Sequence, residues 1–185
     1  TDLPAGWVGS SIVSSSAEAA AVVFVNYIGT GGSGLGADNL SSADYLGVGA
    51  PGSDNFCPSV GMRPAEATSI VVMNTTDAQI SDVSISFTNR DGTAAGTAMT
   101  GITIPAYAQV THSLYETAFA LPANFLGAAR VQSTGGSDIA VVAITHWGAG
   151  STAFGSFGVN CQSTAAAAPV LYAPKVQRRN FSGNP

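Results

Sequence analysis

The sequence predicts an all-β, antiparallel sandwich, and three observations carry that expectation. Apolar and hydroxylated residues alternate in short runs. Glycine (22) and proline (9) punctuate those runs. No longer stretch shows a convincing 3.6-residue apolar period.

Ser69 to Asn74 is rich in Val and Ile and reads as one strand. Val83, Ile85 and Phe87 then alternate with Ser84, Ser86 and Thr88, giving one apolar and one hydroxylated face. Asn89-Arg90-Asp91-Gly92 follows, and its Asp-Gly step suits a tight hairpin. The return strand covers Thr93 to Ile104, with Gly96 and Gly101 as bulges or bends, and Pro105 closes it. Val110, His112 and Leu114 alternate with Gln109, Thr111 and Ser113 in the next strand. A short helical turn is expected near Tyr115 to Ala120. Ile139 to Trp147 is apolar on both faces, the pattern of a central strand. Many short strands with turn signals between them favour a sandwich.

Composition bounds the function. The chain has 185 residues, 45% hydrophobic and only 9% charged, which argues against disorder. Net charge is −5, with Lys175 the single lysine, so no large basic face for nucleic acid can be built. Few basic residues also leave few sites for trypsin-like proteases, which suits an extracellular life. The longest apolar run, Ala19 to Val25, falls far below the ~20 residues of a membrane-spanning helix. Thr1 opens on a polar turn rather than a signal peptide, as a processed chain does. Cys57 and Cys161 match no metal-ligand spacing. They are either one disulfide, stabilising by about 4–5 kcal/mol in the chain-entropy model, or two buried thiols. Asn39, Asn74 and Asn180 each open an Asn-x-Ser/Thr sequon, which permits N-glycosylation.

An internal repeat is the most informative feature. Leu3-Pro4-Ala5-Gly6-Trp7-Val8-Gly9 returns as Leu121-Pro122-Ala123-Asn124-Phe125-Leu126-Gly127, and Val13 and Ser15 return as Val131 and Ser133. After a one-residue insertion, Ala21-Val22-Val23 returns as Ala140-Val141-Val142. Phe56-x-Pro58-x-Val60-x-x-Arg63 is mirrored by Tyr172-x-Pro174-x-Val176-x-x-Arg179. The spacing, 116 to 119 residues, is the size of one immunoglobulin-like sandwich. The phase divides the chain into a partial unit at 1–57, a complete unit at 58–172 and a linking strand at 173–185. Half a sandwich leaves a wet inner face and unpaired strand edges. Three arrangements satisfy them: a longer tandem-repeat protein, strands added from a neighbouring copy, or both segments folded back onto the complete unit. Head-to-tail addition does not close on itself and makes a filament. Residues 173–185 carry Lys175, Arg178 and Arg179 with no acid, on an otherwise acidic body, which favours docking to another copy.

The phrase Leu-Pro-Ala-Gly-Trp-Val-Gly-Ser-Ser-Ile-Val (3–13), followed by a Val-rich strand, resembles tandem immunoglobulin-like repeats of secreted and cell-surface bacterial proteins. So does the aromatic-Ala-Pro-x-Val phrase at 172–176. The resemblance implies surface scaffolding, adhesion or fibre formation, and it brings no catalytic residues.

Other chemistry is thinly supported. Gly29-Thr30-Gly31-Gly32-Ser33-Gly34 spells G-x-G-x-x-G, but no helix follows to receive a phosphate, and a sandwich loop explains it better. His112 and His146 lack a nucleophile-elbow sequence and a third metal ligand, and read as structural side chains. Asp38, Asp44 and Asp54, with Asn39 and Asn55, match no EF-hand spacing. Trp7 and Trp147 suit core packing better than sugar stacking.

The expected function is a structural subunit of an extracellular filament or surface assembly, held by strand complementation between copies. The partners are other copies of the chain, through residues 1–15 and 170–185, with Trp7, Val8, Val176, Arg178, Arg179 and Phe181 at the interface. The alternative is a ligand- or glycan-binding adhesin module. Neither needs a cofactor, a metal or a catalytic residue, and the chain is not expected to be an enzyme.

Overall fold

The computed structural model describes residues 11–14, 16, 22–28, 40–64, 66–149 and 152–166. Among them are eleven strands and no α-helix. In chain order these are β1 Val22–Ile28, β2 Leu40–Leu46, β3 Asp54–Arg63, β4 Glu66–Asn74, β5 Ile80–Asn89, β6 Ala94–Ile104, β7 Gln109–Ser113, β8 Phe125–Ser133, β9 Ile139–Ala149, β10 Thr152–Asn160 and β11 Gln162–Ser163. All ladders are antiparallel. β1 and β2 form a two-stranded sheet, and β3 to β11 form one hydrogen-bonded network.

That network has two wings. One runs β10-β9-β4-β7 and the other β11-β3-β8-β5-β6. They are joined at the β3–β4 corner, where Met62 pairs Ala67 and Arg63 pairs Glu66. The period-2 pattern decides which residues enter the core. In β4, Thr68, Ile70, Val72 and Asn74 are buried, and in β5, Val83, Ile85 and Phe87 are buried while Ser84 and Ser86 are not. Ile70, Val72 and Val141 of one wing share a single apolar cluster with Val60, Val83, Ile85 and Val131 of the other. Phe119, in the 3-10 turn Thr117–Phe119, belongs to the same cluster and stacks edge-on against Phe87, ring centroids 4.9 Å apart. The Cys57–Cys161 disulfide, both residues buried, ties β3 to the chain just beyond β10.

β9 is buried on both faces, as its apolar run predicts. Its outward Val142 and Ile144 pack with Val71 beneath Val48, in the segment after β2.

Local turn chemistry follows the sequence closely. The β5–β6 loop closes with Asn89 N–H to Thr93 O (2.8 Å) and Gly92 N–H to Asn89 O (3.0 Å). Gly92 has φ 85°, the left-handed conformation of a three-residue hairpin loop. Along β5–β6 the paired residues step from Phe87↔Ala95 to Ile85↔Met99 to Val83↔Ile102. The extra β6 residues in these steps include Gly96 (φ 61°) and Gly101 (φ 69°), so both glycines occupy bulges.

Two features of the fold bear on the reading of the sequence. The repeat phase puts a boundary between 57 and 58, yet β3 runs unbroken through it from Asp54 to Arg63. Residues 54–57 pair with Gln132 to Ala129 of β8, so they belong to the same sheet as the rest of β3. Asn74, read as a sequon, is fully buried. Its amide nitrogen donates to Ala78 O (2.7 Å), Pro105 O (3.0 Å) and Ile104 O (3.2 Å), and its Oδ1 accepts from Thr76 N–H and Oγ1–H. The Thr that completes the sequon instead completes this clamp, and the fold has no room for a glycan there.

Candidate functional site

Several ties converge where the chain enters and leaves the nine-stranded network. Entry is at the start of β3 and exit is at β11, and the two strands pair: Phe56↔Gln162 and Asn55↔Ser163. Because the pairing is antiparallel, β3 begins at the end of the unit where β11 finishes. Gly52 forms a two-bond bridge with Ile139, N–H to O and O to N–H, both 3.2 Å. A side chain at Gly52 would strike Ser163, so glycine lets the entering chain lie against the leaving one. Buried Asn55 donates from Nδ2 to Gly52 O at 2.7 Å.

Asp54 closes the junction. Arg130 grips its carboxylate with two bonds, Nε to Oδ1 at 2.8 Å and an Nη nitrogen to Oδ2 at 2.7 Å. Thr164, just past β11, donates to Oδ2 at 3.2 Å. The Arg130 hydrogen bonds hold the Asp54 carboxyl below its usual range against the opposing effect of burial. These contacts make the junction a mechanical anchor. Asp54 is thereby committed to a cation of the chain itself. Among the described residues no three His, Cys, Asp or Glu side chains converge as a metal site would require.

Two edges of the unit, β6 and β7, are blunted. On β7, Glu116 Oε1 accepts from Ser113 N–H (2.9 Å), and Ser113 O accepts from Glu116 N–H (3.0 Å). On β6, the two positive-φ glycine bulges break the regular ladder. An open cleft of about 410 Å³ lies beside the β3 bulge, lined by Phe56, Pro58, Ser59, Arg90, Leu126 and Gly127 among others. Phe56 is 43% exposed there.

The histidines do not meet. His112 bonds from Nδ1 to Glu116 (3.0 Å) and stacks edge-on against Phe119, while its Nε2 is buried without a partner. One ring nitrogen of His112 is thus partnered and the other is not, among the described residues. His146 lies on β9, paired with Ala67 and Ser156, and burial pushes its pKa down. No helix among the described residues is long and apolar enough to cross a membrane.

Trp7, Val8, Val176, Arg178, Arg179 and Phe181 lie outside the described residues, as do Asn39, Asn180, Asp38 and the glycine run 29–34. Beside them, the described Ile12 and Val13 are exposed at 61% and 72%. The Asn74 clamp and the Glu116 plug were missed in the sequence; Asn74-x-Thr76, read as a modification signal, was in fact the visible trace of the clamp. Comparison with protein-family models, with curated proteins and with solved structures finds no match for this chain.

Proposed function

We propose that the chain is a structural subunit of an extracellular filament or surface assembly. Copies are joined by β-strand complementation, and the body of each is an immunoglobulin-like sandwich. The observation that carries this reading is the unequal pairing of two hairpins that share a sequence. Residues 21–23 and 140–142 both read Ala-Val-Val, and both phrases lead into the first strand of an antiparallel hairpin, β1–β2 and β9–β10. β9 uses its second edge on β4, from Trp147↔Glu66 to Ile139↔Asn74. Among the described residues β1 pairs with β2 alone. An apolar strand, Val-Val-Phe-Val-Asn-Tyr-Ile, that pairs on one edge only among the described residues is a template for strand addition. The hairpin lies against the body through β2 and β10, and a further strand on β1 would stabilise it.

The remaining support is consistent. A buried disulfide suits an oxidising exterior. Two antiparallel wings spanned by a disulfide accord with an immunoglobulin-like sandwich. The blunted β6 and β7 edges direct strand addition away from the body and towards the flanking segments.

The test is direct. The purified chain, kept oxidised, is examined by light scattering and electron microscopy over a concentration series. Polymers that lengthen with concentration are expected, and a monomer at every concentration refutes the reading. The alternative, a glycan-binding module, would draw on the cleft beside Phe56 and requires no polymer.

A further inference from the structure

A cleft opens on the outer face where β3, β8 and β5 lie side by side. β8 pairs with β3 on one edge and with β5 on the other. Between Cys57↔Ala129 and Val60↔Gly127, the two residues Pro58 and Ser59 stand opposite the single Ala128. This bulge resets the alternation of β3, so Phe56, Pro58 and Ser59 are all exposed while Cys57 and Val60 stay buried. The β5–β6 hairpin forms the opposite wall, with Thr88 and Arg90. Between the walls the floor is low, because β8 carries only Gly127 and Ala128 there. The volume, about 410 Å³, lies in the range of small-ligand sites.

We propose that this cleft binds a short saccharide bearing one carboxylate, such as a uronic acid unit. The inference does not depend on polymerisation; it rests on the glycan-binding alternative and gives that alternative a ligand class. Phe56, 43% exposed, offers a ring face on which a pyranose can stack. Ser59, Thr88 and Arg90 line the cleft, and none has a side-chain hydrogen bond or ion pair among the described residues. Two hydroxyls and one guanidinium are thus left for a ligand, and they match sugar hydroxyls and a carboxylate. Neighbouring charges are already engaged. Asp91 accepts from the Thr93 N–H (3.0 Å) and hydroxyl (2.6 Å), and Arg130 is held by Asp54. Competing ligands fit less well. An extended peptide docks by adding a strand to a free edge, but β8 is paired on both edges. A polyanion would meet one free guanidinium on a chain of net charge −5.

Ligand-observed saturation-transfer NMR tests the site, since it reads monomer and polymer alike. The probes are cellobiouronic acid, its neutral counterpart cellobiose, and a short peptide ending in a free carboxylate. Cellobiouronic acid is expected to bind about three- to fivefold more tightly than cellobiose, the worth of one exposed charge pair. Arg90→Ala should remove that preference and leave cellobiose binding unchanged. Phe56→Ala should weaken both sugars roughly fivefold. Ser59→Leu, at an exposed bulge position, narrows the cleft and should weaken both sugars with the Phe56 ring in place, which guards against a folding defect in Phe56→Ala. Equal affinity for the two sugars, or a preference that survives Arg90→Ala, overturns the acidic ligand and leaves the glycan-binding alternative standing. Binding of neither sugar overturns both. Tighter binding of the peptide than of either sugar assigns the cleft to protein chains and also overturns the proposal.

Discussion

Removing the disulfide tests whether the two wings depend on a covalent tie. The variant is Cys57→Ala with Cys161→Ala. The bond closes a loop with a sequence separation of 104. In the chain-entropy model a loop of that length restricts the unfolded chain by about 16 cal/mol/K, or about 4.7 kcal/mol at 25 °C. Both cysteines are also core residues, at 0% and 2% exposure. Deleting two buried sulfur atoms adds about 1 kcal/mol each for lost contacts and cavity. The expected loss is about 5–7 kcal/mol, comparable to the whole stability of many domains. Urea unfolding followed by tryptophan fluorescence at low protein concentration gives the free energy and the m-value. Wild type with its disulfide reduced isolates the entropic part. A larger m-value is expected in both uncrosslinked forms, because the released unfolded chain exposes more surface. A loss below about 2 kcal/mol with an unchanged m-value would refute the argument that the bond acts by restricting the unfolded chain.

The other predictions concern single side chains. Asn74→Ala strips three carbonyls and two Thr76 donors of their partner, so a loss of about 2–4 kcal/mol is expected in urea unfolding. Peptide mass mapping of chain made in a glycosylating host should find Asn74 unmodified. Asp82 receives the Gly135 N–H and the Ser133 and Thr134 hydroxyls, and the Gly135 bond chiefly lowers its pKa from 3.8. A depressed folded pKa means its stabilisation is present above pH 3.8 and lost as pH falls through the folded value. Asp82→Asn should therefore flatten the stability profile below about pH 4, and an unchanged acid limb would count against the loop clamp. Gly96→Ala places a methyl at φ 61° against the Phe119 carbonyl. It should cost about 2–3 kcal/mol, while Gly101→Ala, with open space around it, costs only the conformational strain of about 1 kcal/mol.

What the sequence disclosed was local. The alternation of Val83, Ile85 and Phe87 with hydroxyl residues fixed a strand and its buried face, because the side-chain period of a strand is two. Asp91-Gly92, Gly96 and Gly101 announced a hairpin and two bulges, because only glycine takes those backbone angles without strain. Sheet order was not legible, since pairing β4 with β9 joins residues some seventy positions apart and no local pattern encodes it. Polar clamps were equally hidden. Nothing in Asn74-Thr75-Thr76 distinguishes an amide facing solvent from one facing the carbonyls of Ile104 and Pro105. Glu116 likewise reads as an exposed acid until the fold brings it beside Ser113 N–H. The course of β3 across 57/58 was hidden for a related reason. The repeat phrase opens with an aromatic residue at Phe56, whereas hydrogen bonding begins at Asp54 through Arg130, a residue with no counterpart in the repeat phrase.

The entry–exit junction constrains what kind of polymer a strand-exchange joint can build. Asn55 and Ser163 pair on antiparallel strands, so β3 begins and β11 ends at the same end of the body. A bead threaded on a line has its connections at opposite poles. A body whose connections share one pole hangs beside the line instead. The anchoring there is dense: Gly52 to Ile139, Asn55 to Gly52, Asp54 to both Arg130 and Thr164, and a disulfide a few residues further in. Tension along a filament would therefore load this corner, where Cys57 joins the β3 strand to Cys161 beyond β10, and would bypass the apolar core. The disulfide and the Asp54–Arg130 pair would then serve the proposed assembly as well as the fold, since both lie where the chain enters and leaves the body.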